Sequence, residues 1–382
     1  MRSPRGYIIV LVVIMIVEIA SISITYSLLT SSVIIGNSGQ VTTSSSLRTE
    51  GRWIKDADGN TLILKGVWKA EYADSCVGWW GNDPYNWNEA AVRADMQNLR
   101  DVWHVNCLNT FIWGNWWEGD LAVTLGGGTT SHHYRWVLKE TARLAAEYGL
   151  YFQIRLWEPS TTEGSVDQPY YPYSNYWTEQ QFTDFWVSVA NEMKAYPNVL
   201  LCLYDEPVHG ETDWFRVANN TIFAIRATGC ENLIVNHLDY CGDCMWMERW
   251  VQAGYPTHNI VFSNHIYRFH GTYAYDPNSA TDYQYILSFL SDKPSATRYT
   301  GAGYKYITDT YNIPIWVSEI GAYNGATNDA EYTYFNNTLH ALNELQLGYC
   351  AYQWFRSSLP WYVGYRMPNR VGQALIDAIM SG

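Results

Sequence analysis

The chain has 382 residues, enough for a short leader and one large domain or for two ordinary domains. Its net charge is −13, with no basic stripe beyond the first residues, which argues against nucleic acid as a partner because phosphate contacts need Lys and Arg. Aromatic residues abound (19 Trp, 31 Tyr and 11 Phe) and suit either a large rigid core or a cleft in which flat rings stack on the C–H faces of sugars.

The first feature along the chain is an apolar run from Tyr7 to Leu29, preceded by Arg2 and Arg5 and interrupted by Glu18. It is long enough to span a bilayer, and its positive flank predicts that the N-terminus stays inside. A cleaved signal peptide is the other reading of residues 1–35. The length of the run, and the lack of a small-x-small site directly after it, favour an uncleaved signal anchor. Both readings put the remainder outside the cytoplasm, extracellular and either anchored to the membrane or secreted. Residues 36–50 (GNSGQVTTSSSLRTE) hold too little apolar surface to fold and read as a flexible tether. Residues 51–382 are then the folded domain.

Strand-like segments follow at 61–68, 106–112, 150–157, 199–204, 232–238, 260–265, 313–318 and 349–354. They are short, apolar and rich in β-branched or aromatic residues, the pattern of strands buried on both faces. Helical patterns alternate with them at about 88–101, 132–148, 178–195, 211–227, 244–253, 298–311, 328–345 and 370–380. In the second of these, Ser131 is the expected cap, Trp136, Leu138, Ala142, Leu144 and Ala145 recur at helical spacing, and Gly149 stops the helix. Eight strand–helix units predict an α/β fold closed into a (β/α)8 barrel. An open doubly wound sheet would bring a Gly-rich phosphate loop after an early strand, and Gly126-Gly127-Gly128 lacks that context.

Of the seven cysteines, Cys107, Cys202 and Cys350 lie in apolar runs and read as small buried hydrophobes. Cys230, Cys241 and Cys244 cluster in the sequence, and Cys76 lies in a loop. Cys241-Gly-Asp-Cys244 has the C-x-x-C form, but only Cys230 and His237 offer themselves as further zinc ligands. A disulfide among these loop cysteines suits an exported chain better, and no metal or cofactor is expected.

In such a barrel, reactive side chains collect where strands end. The fourth strand runs into Tyr204-Asp205-Glu206-Pro207, the sixth into His265-Ile266-Tyr267, the seventh into Ser318-Glu319-Ile320-Gly321 and the eighth into Gln353-Trp354-Phe355. Glu206 and Glu319 thus stand on roughly facing sides of the ring. Glycoside cleavage needs such a carboxyl pair, one protonating the leaving oxygen while the other stabilises or attacks the oxocarbenium-like centre. The bland alternative is that each Glu merely caps a helix.

Several segments together resemble glycoside hydrolase family 5. Asp58-Gly59-Asn60 followed by Leu64-Lys65-Gly66-Val67 resembles that family's opening strand, and PNVLLCLYDEP resembles its Asn-Glu-Pro segment. His265 and Tyr267 match its sixth-strand His and Tyr, IPIWVSEIGAY its nucleophile strand, and Trp354 its eighth-strand subsite Trp. The resemblance spans roughly 51–380 and implies Glu206 as acid/base, Glu319 as nucleophile and a retaining mechanism. It implies substrate contacts for Asp205, His265, Tyr267 and Trp354. Three positions depart from the pattern. Asp205 replaces the Asn before the acid/base, and an ionised Asp can only accept hydrogen bonds. Asn109 replaces the second-strand Arg that normally holds the nucleophile. The third-strand Asp and His positions read Arg155 and Trp157, which suggests that Arg155 supplies the missing positive charge.

The expected substrate is a β-linked polysaccharide or oligosaccharide. An endo-β-1,4-glucanase activity comes first and β-mannanase second, with Trp79, Trp80, Trp113, Trp116, Trp117, Trp157, Trp177 and Trp361 as candidate stacking platforms. A non-catalytic carbohydrate-binding barrel is the main rival. A metal-dependent hydrolase fits less well, since His132-His133 and His265 do not form the H-x-H pair of a first-strand metal site.

Overall fold

A computed structural model describes residues 46–69, 87, 89–120, 122–124, 131–156, 177–207, 211–238, 244–268, 281–293, 303–354 and 363–382. The leader, most of the tether, Gly126-Gly127-Gly128, Cys76, Cys241, Trp79, Trp80, Trp157 and Trp361 lie outside the described residues. Among the described residues, no helix is long and apolar enough to cross a membrane.

Eight strands form a closed barrel. In chain order they are β1 (Lys65–Trp68), β2 (Cys107–Ile112), β3 (Tyr151–Leu156), β4 (Val199–Cys202), β5 (Ile234–His237), β6 (Ile260–Tyr267), β7 (Ile315–Gly321) and β8 (Gly348–Ala351). Each pairs in parallel with its neighbours in sequence, and β8 closes on β1 through Tyr349 opposite Lys65. All positions of β1, β2 and β4–β8 are buried, as expected for strands enclosed by a packed interior on one side and helices on the other. Gly66 is required by the close approach of β1 to β2, because a Cβ there would lie 2.3 Å from the Cys107 carbonyl oxygen.

The surrounding helices are α1 (Glu89–Asp101), α2 (Tyr134–Glu147), α3 (Glu179–Met193), α4 (Glu211–Ala227), α5 (Cys244–Gln252), α6 (Tyr283–Ser291), α7 (Tyr304–Tyr311), α8 (Asp329–Glu344) and α9 (Arg370–Ser381). Thr178 and Gln181 close a capping box on α3, and Asn328 and Asn369 cap α8 and α9. Ser131 does not cap α2. It lies in the short hairpin strand Ser131–His133, and the helix begins after His133 with no side-chain cap. Gly149 ends that helix as expected, with φ at +75°. The helix α6 is an addition to the sequence reading. Its pattern YQYILSFLS is apolar along most of its length, and Asp282 caps it by accepting from the Tyr285 N–H.

A three-stranded antiparallel sheet (Arg48–Glu50, Trp53–Lys55, Thr61–Leu62) lies at the N-terminal end of the barrel. Thr49 and Asn259, the residue before β6, exchange two hydrogen bonds of 3.0 Å. The expected tether over 36–50 therefore overlaps the folded part at Arg48–Glu50, and the expected strand 61–68 divides between this sheet and β1.

Candidate active site

The C-terminal ends of β3 to β8 bring one buried cluster together. Arg155, on β3, is wholly buried and points into the barrel mouth, with its guanidinium carbon 4.3 Å from the centre of the Trp68 ring. Its Nη1 donates to Asp205 Oδ1, to Glu319 Oε2 at 3.3 Å and to His265 Nε2 at 2.6 Å, and its Nη2 donates to Ser318 Oγ at 2.8 Å. Asn109 does not replace the guanidinium. It is fully buried and donates to the Ser318 carbonyl at 3.1 Å, so it braces β7 beside Glu319 and meets no open space. The charge expected from Arg155 is thus in contact with Glu319.

Arginine can only donate, so His265 Nε2 must accept, and its proton sits on Nδ1. That N–H faces Glu206 Oε1 at 2.5 Å. The Tyr267 hydroxyl donates to Glu319 Oε1. Each carboxylate therefore has one oxygen committed to β6, the strand between them. One carboxyl oxygen of Glu206, one of Glu319 and a His265 nitrogen all lie within 4.8 Å of one another. The two acids are close enough for a single glycosidic bond, in the range near 5 Å that retaining hydrolases use.

The electrostatics follow from three carboxyl groups around one guanidinium. Burial pushes the Asp205 carboxyl up to about 7, the Arg155 charge opposes that rise, and the neighbouring Glu206 adds to it. Burial also raises Glu319 well above the ordinary carboxylate range, helped by the charge of Asp205, while Arg155 and the Tyr267 hydroxyl pull the other way. The Tyr267 phenol is raised too, by burial and then by Glu319, so it stays a donor. Asp205, His237 and His265 present atoms within 4.8 Å of one another, as a metal set would. The Arg155 guanidinium already bonds two of the three, which places a cation there and disfavours a metal ion.

Two residues missed by the sequence reading belong to the site. His237 ends β5, and its Nδ1 accepts the backbone N–H of Glu206 at 3.0 Å. It cannot share a zinc ion with Cys230. That cysteine precedes the strand, on the side of its N-terminal end, whereas His237 ends it, and the thiol donates to Asn232 Oδ1. Tyr352 is the second. It is half-buried, lies edge-on to Trp68 at 6.3 Å and is near enough to Tyr267 to perturb it electrostatically. Trp354, the expected sugar contact, is wholly buried. It packs on Trp103 and Tyr365, with Lys69 Nζ 4.9 Å from its ring centre. Trp113, Trp116, Trp117 and Trp177 are buried as well and pack in the core. The signal for His237 was present, a polar residue at a strand's C-terminal end, but its nearness in sequence to three cysteines suggested a different role.

Residues 35–358 match the family model "Cellulase (glycosyl hydrolase family 5)". Similar solved structures include the catalytic domain of the major endoglucanase from Xanthomonas campestris pv. campestris, 15% identical with a TM-score of 0.66 over 88% of this chain and 100% of that one. An endocellulase from Pyrococcus horikoshii is 13% identical, with a TM-score of 0.66 over 88% of this chain and 99% of its own. A β-glucanase from Saccharophagus degradans, in complex with cellotetraose, is 16% identical, with a TM-score of 0.65 over 89% and 94%. At these identities the likeness establishes the barrel, while the family-model match covers most of the sequence. The chain belongs to glycosyl hydrolase family 5 and is a glycosidase.

Proposed function

We propose that the protein is a retaining endo-β-1,4-glucanase in which Glu319 is the nucleophile and Glu206 the acid/base. The observation that carries this reading is the approach of the Glu206 and Glu319 carboxyls to within 4.8 Å at the barrel mouth. That closeness suits the roughly 5 Å spacing of a retaining pair rather than the wider spacing of an inverting one.

Burial raises Glu319, but Arg155 and the Tyr267 hydroxyl both donate to it and favour its charged form, so it is the carboxyl these donors prepare to carry the negative charge. Glu319 attacks the anomeric carbon as the bond to the leaving oxygen breaks, and Glu206 gives its proton to that oxygen. Because the His265 Nδ1–H occupies Glu206 Oε1, the proton transferred is the one on Oε2. Glu206, now ionised, takes a proton from water, and the resulting hydroxide equivalent displaces Glu319 from the sugar with net retention. Tyr352 is the half-buried aromatic placed to meet a sugar ring, in the role first expected of Trp354. β-Linked glucan is favoured as substrate by the family match and by the cellotetraose bound to a structural neighbour.

Reducing-sugar release from carboxymethylcellulose, barley β-glucan and galactomannan, with the anomer of the first product followed by NMR, tests this reading. Release from the two glucans with retained configuration supports it. Preference for galactomannan makes the enzyme a mannanase, and no release from any polymer leaves a carbohydrate-binding barrel. We also place the barrel outside the cytoplasm, tethered by the apolar run Tyr7 to Leu29 behind Arg2 and Arg5. Protease added to intact cells should then remove it.

A further inference from the structure

Glu206 has a backbone that side-chain-bearing residues seldom adopt, with φ at +40°. Such a conformation persists only where its surroundings fix it. The backbone N–H of Glu206 has one partner for this purpose, the Nδ1 of His237 at the end of the adjacent strand β5, 3.0 Å away. A nitrogen that accepts carries no proton, so the His237 ring is held with its Nδ1 lone pair toward Glu206. The ring is wholly buried, its centre is 4.2 Å from that of His265, and its backbone carbonyl accepts the Trp214 indole N–H at 3.0 Å. His237 therefore has no freedom to follow a moving Glu206. It grips the Glu206 backbone from β5, while His265 grips the carboxyl from β6.

We infer that His237 is a positioning residue for the acid/base, holding the left-handed turn at Glu206 that carries its carboxyl over the bond to be cleaved. This rests on the reading of Glu206 as acid/base. His237 touches neither substrate nor reacting atoms. Its loss should misplace the proton donor, so the penalty should depend on how much the leaving group needs a proton. A merely structural role would lower all rates alike.

The test compares kcat/KM for 2,4-dinitrophenyl and phenyl β-cellobiosides, whose leaving groups differ in their need for protonation. Four proteins are compared: wild type, Glu206→Ala, His237→Asn and His237→Gln. Asn places its amide oxygen where Nδ1 stands and keeps the acceptor. Gln extends past that point and removes it, and both remain polar and planar. The expected result is a loss for His237→Gln of on the order of 10²-fold on the phenyl substrate, little loss on the dinitrophenyl one, and near-wild-type rates for His237→Asn. His237→Ala, which has no acceptor and adds no bulk, repeats the comparison should the Gln variant fail to fold. Equal losses on both substrates, no loss, or equal behaviour of Asn and Gln overturns the inference. If Glu206→Ala itself shows no leaving-group dependence, the acid/base reading fails instead, and the two failures are told apart.

Discussion

The Arg155 guanidinium, carried by the third strand, reaches to 3.3 Å from Glu319 Oε2 on the seventh. It does so across the barrel mouth, through a position that is fully buried and also bonds Asp205, His265 and Ser318. The positive charge that the family pattern places on the second strand is thus supplied here from its neighbour. Replacement by Met should cost about 3–5 kcal/mol of stability, because it leaves buried carboxylates without a counter-charge. Replacement by Lys keeps a charge but not the planar fork that meets four partners at once. The expected result for Arg155→Lys is a fall in kcat on the order of 10²-fold with KM little changed, since the residue meets no sugar. Steady-state kinetics beside a thermal melt check this, and a rise in KM at constant kcat would show Arg155 acting on substrate binding instead.

Asp205 gives a prediction on pH. Its carboxyl is pushed up to about 7 by burial, against the pull of Arg155, from 3.8 in an exposed chain. The folded protein therefore holds a proton that the unfolded chain releases from about pH 4 upward. By linkage, this group's contribution to stability is fully present below pH 4 and is lost as pH rises to about 7. Asp205→Asn removes the titration. Its stability relative to wild type should climb between pH 4 and 7 and stay level above 7. Denaturation curves at pH 4, 5.5, 7 and 8 decide the matter, and parallel pH dependences in the two proteins would rule it out.

The barrel was legible because strands buried on both faces leave an unbroken apolar signal. The strand β2, expected at 106–112 and found at Cys107–Ile112, is typical. The acids were legible because strand ends collect function in this architecture. What sequence could not supply was the direction of side chains at the irregular end of β8. Tyr352 and Trp354 are two residues apart and both aromatic there, yet Trp354 is fully buried and Tyr352 only partly so. Nor could it supply the backbone turn at Glu206, since nothing in Tyr-Asp-Glu-Pro announces a positive φ. The helix start at Tyr134 was misplaced because Ser131, an apt cap by composition, is taken by a hairpin that pairs it with Thr124.

The assignment of the nucleophile makes its own prediction. Glu319→Ala removes the carboxylate that Tyr267 and Arg155 orient, and turnover should vanish while the barrel stays folded. Azide is small enough to enter the space left behind. With an activated aryl cellobioside it should restore cleavage and give a β-cellobioside's α-azide, an inverted product. Azide added to Glu206→Ala should instead give the β-azide, because the nucleophile is intact and azide attacks the glycosyl-enzyme. Obtaining the β-azide from Glu319→Ala, or no rescue in an otherwise active background, would move the nucleophile to another residue.

The eighth strand offers a contrast between two neighbouring aromatics. Trp354 is enclosed by Trp103, Tyr365 and Lys69, with no exposed surface, so Trp354→Ala opens a cavity and should cost about 3–5 kcal/mol in stability. Tyr352 stands half-buried, edge-on to the Trp68 ring that supports Arg155. Tyr352→Ala loses some packing against the core but takes a flat face from the mouth, so its melt should fall less than that of Trp354→Ala while KM for cello-oligosaccharides rises roughly tenfold, equivalent to about 1.4 kcal/mol of binding. Tyr352→Phe separates the ring from its hydroxyl. If the ring is what meets the sugar, Phe behaves as wild type. If Phe behaves as Ala, the hydroxyl makes the contact through a hydrogen bond. An unchanged KM in all Tyr352 variants, with a raised KM in a folded Trp354→Phe protein, would return the sugar contact to Trp354 and require that the end of β8 rearrange when substrate binds.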